Sequence, residues 1–209
     1  MDRNEHTRDD IEVRTYQSGL RSSDPEGGRT VTGHAALFNS ETHLGGKVYE
    51  RIAPGAFKKA LTRSDVRLLK NHDPNLILGR TGRNLTVSED ERGMPIQCDF
   101  PDTTIGRDSL TEVREGLIDQ MSFAFTIGDE IKEERTDGTT LFTITEVREI
   151  YDVSIVTYPA YKDTSVTVSK SRQRSRSIIP ETQKETPTET LASKRNENLL
   201  KFVQAGSTI

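Results

Sequence analysis

Hydrophobic and polar residues alternate along most of the chain, and this pattern predicts short β-strands. Alternation places every second side chain on one face of a sheet, so that one face can cover a core. In the first such segment, Ile11, Val13 and Thr15 alternate with polar neighbours. The predicted strands cover residues 11–16, 29–38, 65–71, 118–127, 140–149 and 150–157, with a hairpin over 85–100.

Two segments depart from this alternation and predict helices. Pro54 begins the first, PGAFKKALTR, and proline suits the first helical position because its missing N–H has no partner there. The second covers 104–116 and ends at Gly116, a residue typical of the position after a helix. Many strands with two helices favour a mainly β (α+β) fold. We expect a closed or nearly closed β-barrel with a few helices packed outside.

The last forty residues differ in composition from the rest of the chain. Residues 170–209 carry a net charge of +4, whereas the preceding 169 residues carry −8. Charged, Ser, Thr and Pro residues dominate this segment, which therefore buries too little apolar surface to fold alone. We expect a disordered start over 1–10, a folded domain over 11–169, a flexible linker over 170–190 and a short amphipathic docking helix over 191–209. A frayed terminus is the alternative to the docking helix.

Charge and cysteine content narrow the function classes. The 29 basic and 33 acidic residues provide no overall positive field, which disfavours nucleic-acid binding. The single cysteine, Cys98, excludes an internal disulfide framework and a cysteine-based zinc site. No apolar run approaches the length of a membrane helix, and the polar N-terminal residues differ from a signal peptide. We therefore expect a soluble protein inside a cell, without membrane contact.

One of the four histidines lies in a position suited to chemistry. His72 follows the strand predicted at 65–71 and precedes Asp73 and Pro74. We expect the chain to leave the sheet at this point, because proline donates no backbone hydrogen bond. A histidine at a strand end can face the rim of a site and transfer protons there. The alternative is an ordinary surface or turn-capping histidine.

A serine and an aspartate lie on the less hydrophobic faces of two later strands. In IDQMSFAFTI, alternation places Ser122 among small residues, opposite Met121 and Phe123, which leaves room for a substrate carbonyl group. In REIYDVSIVTYPAY, Asp152 lies opposite the hydrophobic face. Their ordinary alternatives are a solvent-facing serine and a cross-strand ion pair. Together with a histidine, the two residues supply the nucleophile, base and orienting group of a catalytic triad.

Four segments resemble one family of viral proteases. In order they are ERIAPGAFKKAL, LLKNHDPNLILGRTGRNLTVSEDERGMPIQCDFPDT, VREGLIDQMSFAF and REIYDVSIVTYPAY. They resemble the HK97-type prohead, or head-maturation, proteases of tailed bacteriophages over about residues 30–169. The resemblance implies a fold related to the herpesvirus assembly protease, which is a β-barrel wrapped by helices.

The resemblance also implies an activity and its residues. It implies a serine endopeptidase whose histidine lies in an NHD motif and whose serine lies in an MSF motif, and these positions are His72 and Ser122 in this chain. Members of the family tend to carry an acid before Val-Ser in the last strand. Asp152 matches that position, with Glu149 and Glu146 close enough to compete. No cofactor is implied.

The resemblance further implies partners and a place of action. Such proteases are packaged with the scaffold inside the procapsid, in the host cytoplasm, where they cut the scaffold-like part of the capsid protein and often themselves. We therefore expect the major capsid protein precursor and the scaffold as partners, and we allow for self-association.

Two other hypotheses compete with the protease. In the first, the same domain is a non-catalytic, capsid-associated interaction module, and the three polar residues are ordinary surface groups. The second is a metal site, although its ligands lack close spacing in the sequence. The residues of that metal hypothesis are His34, His43, His72 and Asp73.

Overall fold

A computed structural model describes residues 11–22 and 27–158 of the chain. This part is mostly β-structure with few helices. The start expected over 1–10, the linker over 170–190 and the docking helix over 191–209 lie outside the described residues, as does the end of the domain expected over 11–169. No helix in the described part is long and apolar enough to cross a membrane.

The two longest strands come last in the described part of the chain. In chain order the strands are β1 (Glu12–Gln17), β2 (Arg21–Ser22), β3 (Thr30–Leu37), β4 (Thr42–Gly45), β5 (Val48–Ile52), β6 (Arg67–Lys70), β7 (Asp73–Arg80), β8 (Leu85–Val87), β9 (Gly93–Asp99), β10 (Gln120–Glu134) and β11 (Thr140–Val156). The helices are α1 (Lys58–Leu61) and α2 (Thr104–Arg114).

A long antiparallel hairpin, β10–β11, forms the centre of a seven-stranded sheet. The main strand order is β1-β10-β11-β5-β4. Along its other edge, β11 pairs in parallel with β5 through 140–144 and with β6 through 152–155, and β7 follows β6. The sheet therefore forks at β11. A second, four-stranded sheet has the order β2-β3-β9-β8, and residues of both sheets share one hydrophobic core.

The expected closed or nearly closed barrel is not confirmed. Neither sheet closes on itself within the described residues. Closure needs one continuous ribbon whose first and last strands pair. In this fold the fork divides one edge of β11 between β5 and β6, and four further strands form a separate sheet. The mainly β composition is as expected, but the pairing of the strands is not.

Most predicted elements are present, with changed lengths. The two strands predicted at 140–149 and 150–157 form the single strand β11, and β10 extends beyond the predicted 118–127. Helix α2 matches its prediction, and the chain turns after it at Gly116, where φ is +68°. Helix α1 is shorter than predicted because Gly55 has φ +90°, which a helix cannot contain. Alternation did not predict β2, β4, β5 and β7.

The first strand buries the face that alternation assigns to the polar residues. Glu12, Arg14 and Tyr16 are buried, whereas Val13 and Thr15 are partly exposed. These three buried residues pair across the sheet with core residues of β10, and cross-strand partners share a face. The strand is therefore present as predicted, but it buries the opposite face from the one predicted.

An ion cluster inside the core explains this reversal. The Arg14 side chain has no exposed surface, and its Nε and Nη2 atoms donate to Glu50 Oε1 and Oε2 at 2.6 and 2.9 Å. Glu12 Oε2 lies 3.0 Å from the same guanidinium. Burial acts to lower the pKa of Arg14, but Glu50 and Glu12 outweigh it, so the pKa lies above its ordinary value. We call Glu12, Arg14 and Glu50 the core ion cluster.

Candidate active site

His72 lies at the tip of the β6–β7 hairpin. Lys70 and Asp73 are cross-strand partners, so Asn71 and His72 form a two-residue turn. Their φ angles are +54° and +57°. Two successive left-handed residues are typical of the tight turns that fit the twist of a hairpin, and Asn and His accept this conformation more readily than most residues.

The prediction that the chain leaves the sheet at Asp73 and Pro74 is wrong. Strand β7 begins at Asp73, and the turn precedes it. Pro74 is tolerated because it lies at the start of a strand, where a missing N–H need not interrupt a ladder. This tight turn places His72 over the sheet and not in a loop, which is a position suited to a catalytic role.

Three hydrogen bonds attach Asn71 to the end of β11. The Asn71 N–H donates to the Ile155 carbonyl at 2.9 Å. The Asn71 side chain accepts from the Thr157 N–H at 2.9 Å and donates to the Thr157 hydroxyl at 3.2 Å. The backbone next to His72 is therefore fixed against the strand that carries Asp152.

Ser122 and Asp152 lie on the same face of the sheet. Ser122 pairs with Ser154, and Ala124 pairs with Asp152, in the β10–β11 register. A bulge at Tyr151 adjusts β11 so that Asp152 and Ser154 face away from the core. The face prediction for Ser122 therefore agrees with the structure, since Met121 and Phe123 on the opposite face are completely buried.

The imidazole of His72 bridges these two side chains. Its Nε2 atom lies 2.8 Å from Ser122 Oγ, and its Nδ1 atom lies 2.6 Å from Asp152 Oδ1. When Nδ1–H donates to the carboxylate, the Nε2 lone pair is directed at the serine hydroxyl. Ser122 is 1% exposed, whereas the His72 side chain is 26% exposed, so the histidine forms the solvent side of the site.

Ser122 has a second hydrogen-bond partner on β1. Its Oγ lies 2.9 Å from the backbone carbonyl of Arg14. A hydroxyl has one proton, so it donates either to His72 Nε2 or to this carbonyl at a given moment. When Nε2 carries a proton, Ser122 accepts from His72 and donates to Arg14. The carbonyl therefore holds the serine hydroxyl when the histidine is protonated, and the histidine holds it when Nε2 is free to accept.

Of the three acids considered, the structure places Asp152 against His72. Glu149 is exposed on β11, three residues before Asp152. Glu146 forms an ion pair with Lys59 on α1. The geometry favours Asp152 for the orienting role.

The four residues of the metal hypothesis are not brought together as a ligand set. His34 Nε2 lies 2.9 Å from Asp90 Oδ2, and His43 Nε2 lies 2.8 Å from the Gly46 carbonyl. His72 is bonded within the site just described. Among the described residues, no group of three or more His, Cys, Asp or Glu side chains is arranged to hold a metal ion.

Cys98 lies in the core and not in the site. It has no exposed surface, and burial raises the pKa of its thiol to about 12. A thiol that stays protonated at neutral pH is a poor nucleophile.

Sequence patterns assigned no role to Ser154. The Ser154 hydroxyl contacts both the Asp152 carboxylate and the His72 backbone, at 2.9 and 3.1 Å. Its position two residues after Asp152 on a strand was the available signal, because such residues share a face. The contact with His72 had no signal in the sequence, because it depends on the parallel pairing of β6 with β11.

Comparison with known proteins adds one finding to this geometry. A family model described as caudovirus prohead serine protease matches residues 17–177, which include all three residues of the site. Neither the curated proteins nor the solved structures contained a match.

Proposed function

Because the chain belongs to the caudovirus prohead serine protease family, we propose that this serine peptidase cuts the scaffold-like part of the major capsid protein precursor, and its own chain, inside the procapsid. Family membership supports a role in capsid maturation, with a capsid protein as a partner and the procapsid as the place of action. The substrate segment, the scaffold as a second partner and self-cleavage belong to the proposal.

The bridge made by His72 carries the assignment of roles. One imidazole reaches a serine hydroxyl through Nε2 and a carboxylate through Nδ1, at 2.8 and 2.6 Å. Nucleophile, base and orienting acid thus follow one another at hydrogen-bonding distance, as acyl transfer by a serine requires. We assign these roles to Ser122, His72 and Asp152.

In the first half of the reaction, Ser122 Oγ attacks the carbonyl carbon of the substrate peptide. His72 Nε2 takes the hydroxyl proton as the C–O bond forms, and Asp152 stabilises the resulting imidazolium through Nδ1–H. The tetrahedral intermediate collapses when the C–N bond breaks, and Nε2 gives its proton to the leaving amine. An acyl ester on Ser122 remains.

In the second half, water replaces the departed amine. Nε2 accepts a proton from the water molecule as the water oxygen attacks the ester carbon. Nε2 then gives this proton to Ser122 Oγ when the ester bond breaks. The second product is a carboxylic acid, and the enzyme regains its starting protonation. Asp152 stays ionised throughout and holds the imidazole tautomer.

The test compares the wild-type chain with Ser122→Ala, each incubated with the capsid protein precursor. Mass spectrometry should show a shortened precursor and a shortened protease with the wild type, and two intact chains with the variant. Ser109→Ala is the matched control, because Ser109 is equally buried and lies on α2, away from the site. Cleavage of the precursor by Ser122→Ala would contradict the proposal.

A second arm of this experiment separates self-cleavage from substrate cleavage. The Ser122→Ala chain is added as a substrate to a small amount of wild-type protein, and we expect it to be cut between copies. A serine-directed fluorophosphonate should also add its mass to the wild-type chain at Ser122. No adduct and no cleavage would support the non-catalytic module instead.

A further inference from the structure

A third hydroxyl group lies within the candidate active site. Ser154 is opposite Ser122 in the β10–β11 register and is completely buried. Its Oγ lies 2.9 Å from Asp152 Oδ1, 3.1 Å from the backbone nitrogen of His72 and 3.3 Å from His72 Nδ1. These three contacts join Ser154 to the acid, Asp152, and to the base, His72. None of them joins it to the nucleophile, Ser122.

The donor and acceptor capacity of a hydroxyl fits these contacts. Ser154 donates its one proton to the Asp152 carboxylate, and one of its lone pairs accepts from the His72 N–H. Asp152 Oδ1 also receives the Nδ1–H of His72, so two donors fix the direction of this carboxylate. A hydrogen bond to a charged group is stronger than one between neutral groups.

The backbone conformation of His72 makes such an attachment necessary. Asn71 and His72 are two successive non-glycine residues with positive φ, a conformation that persists only where the surroundings hold it. Asn71 is held by the end of β11. The N–H of His72 is held by the Ser154 hydroxyl. Loss of that hydroxyl frees the turn that aims the imidazole and also frees the carboxylate that orients it.

We propose that Ser154 is a positioning residue of the active site, which joins the backbone of the base to the side chain of the acid. The proposal rests on the proposed peptidase function. Ser154 acts through His72 and Asp152 and takes part in no bond-making step. Its removal therefore slows turnover and leaves substrate binding nearly unchanged.

Ser154→Ala tests this role by steady-state hydrolysis of the capsid protein precursor. We expect kcat to fall about 10- to 100-fold, because small misplacements of a catalytic group have effects of this size, while KM changes less than about twofold. Two control variants remove buried groups that have no hydrogen-bond partner within the described residues, namely the Ser109 hydroxyl in Ser109→Ala and the Thr126 hydroxyl in Thr126→Val. Both should retain wild-type kcat. Thr126 lies on β10 like Ser122, so it controls for the strand itself.

A double-mutant cycle with Asp152→Asn separates positioning from a general structural effect. The hydroxyl of Ser154 is removed once from the wild type and once from the Asp152→Asn chain, and the fold-reduction of the fluorophosphonate labelling rate is measured in each. If Ser154 acts through Asp152, the fold-reduction should be at least fivefold smaller in the Asp152→Asn chain. An undiminished effect would show that Ser154 acts independently of the acid and would overturn the proposal. If Ser154→Ala does not fold, Ser154→Cys keeps the shape of the side chain, with a larger sulfur atom and a weaker donor. It should show a smaller kcat loss at unchanged KM.

The outcomes distinguish this inference from the function on which it rests. Activity retained in Ser122→Ala would remove the proposed function itself. An inactive Ser122→Ala together with a Ser154→Ala of wild-type kcat would remove only the role of Ser154. A loss expressed in KM alone, or an equal loss in Thr126→Val, would also overturn it.

Discussion

Two polar clusters lie on opposite faces of the same seven-stranded sheet. The core ion cluster faces the hydrophobic core, and the cluster of His72, Ser122 and Asp152 lies on the other side of the sheet. Arg14 belongs to both sides, because its guanidinium binds Glu50 in the core while its carbonyl contacts Ser122. One strand thus supports a cluster that is entirely buried and a cluster that reaches solvent.

The comparison separates stability from activity. Every charge of the core ion cluster is removed from water, so each depends on its partners, and the loss of one leaves the others buried without compensation. In the candidate active site the His72 side chain is partly exposed, so a substrate can reach it from solvent. We therefore expect substitutions in the first cluster to affect unfolding and those in the second to affect turnover.

The largest effect should come from the nucleophile and the base. Ser122→Ala and His72→Ala should each lower turnover of the capsid protein precursor about 10³-fold or more, as removal of a triad member does. The free energy of unfolding should stay within about 1 kcal/mol of the wild type, because neither change opens a cavity in the core. Steady-state kinetics and urea unfolding measure the two quantities. Retained turnover in either folded variant would contradict the assignment of activity to this cluster.

The core ion cluster should give the opposite result. Arg14→Ala leaves Glu12 and Glu50 buried without their guanidinium and should lower the free energy of unfolding by about 3–5 kcal/mol. Urea unfolding measures this loss. Arg83→Ala is the matched control, because Arg83 is exposed, and it should change stability by less than about 0.5 kcal/mol. A change at Arg14 as small as the control would show that the buried ion cluster does not contribute to stability.

The orienting acid should have a smaller effect than the nucleophile. Asp152→Asn should lower turnover by up to about 10⁴-fold, because an amide does not stabilise the imidazolium or select its tautomer as a carboxylate does. Glu149→Gln and Glu146→Gln should stay within about twofold of the wild type. The same kinetic assay compares the three variants. A larger loss at Glu149 or Glu146 would transfer the orienting role to that residue.

The smallest effect concerns Cys98, which reports on the opening of the core. Its pKa of about 12 and its burial should keep it unreactive towards a thiol reagent at neutral pH in the native protein. Ser122→Ala should label as slowly as the wild type, whereas Arg14→Ala should label faster, because it opens more often. Equal labelling rates in these two variants would contradict the assignment of stability to one cluster and activity to the other.

The two clusters also differ in how far the sequence predicted them. His72, Ser122 and Asp152 were predicted from strand ends, strand faces and motifs that resemble a known family, with Glu149 and Glu146 as alternatives to Asp152. All of these signals are local. Arg14 and Glu50 are 36 residues apart, and alternation treats any charged side chain as exposed. Alternation therefore predicted, wrongly, that the polar face of β1 is exposed. A buried charge is recognised only when its partner is known, and this requires the pairing of distant strands.

The same limit applies to the turn and to the sheet. Strand β7 was missed because Pro74 argues against a strand. The tight turn was missed because neither of its residues, Asn71 and His72, is the glycine that usually marks such a turn. Alternation predicts which side chains share a face, but not which strands are neighbours. The barrel prediction was therefore based on the number of strands, and it missed the fork at β11. Ser154 shows the same limit within the site, since its contact with His72 needs β6 beside β11.

The parallel pairing of β6 with the end of β11 has a consequence for the timing of activity. Asp152 follows His72 by 80 residues, and it lies in the last strand of the described part to be synthesised. Parallel contacts over such a separation form slowly, because the loop between them must close first. While the chain is being translated, the serine and the histidine precede the acid and the strand that joins them. We therefore expect a nascent chain to lack peptidase activity until β11 has left the ribosome and inserted between β10 and β6.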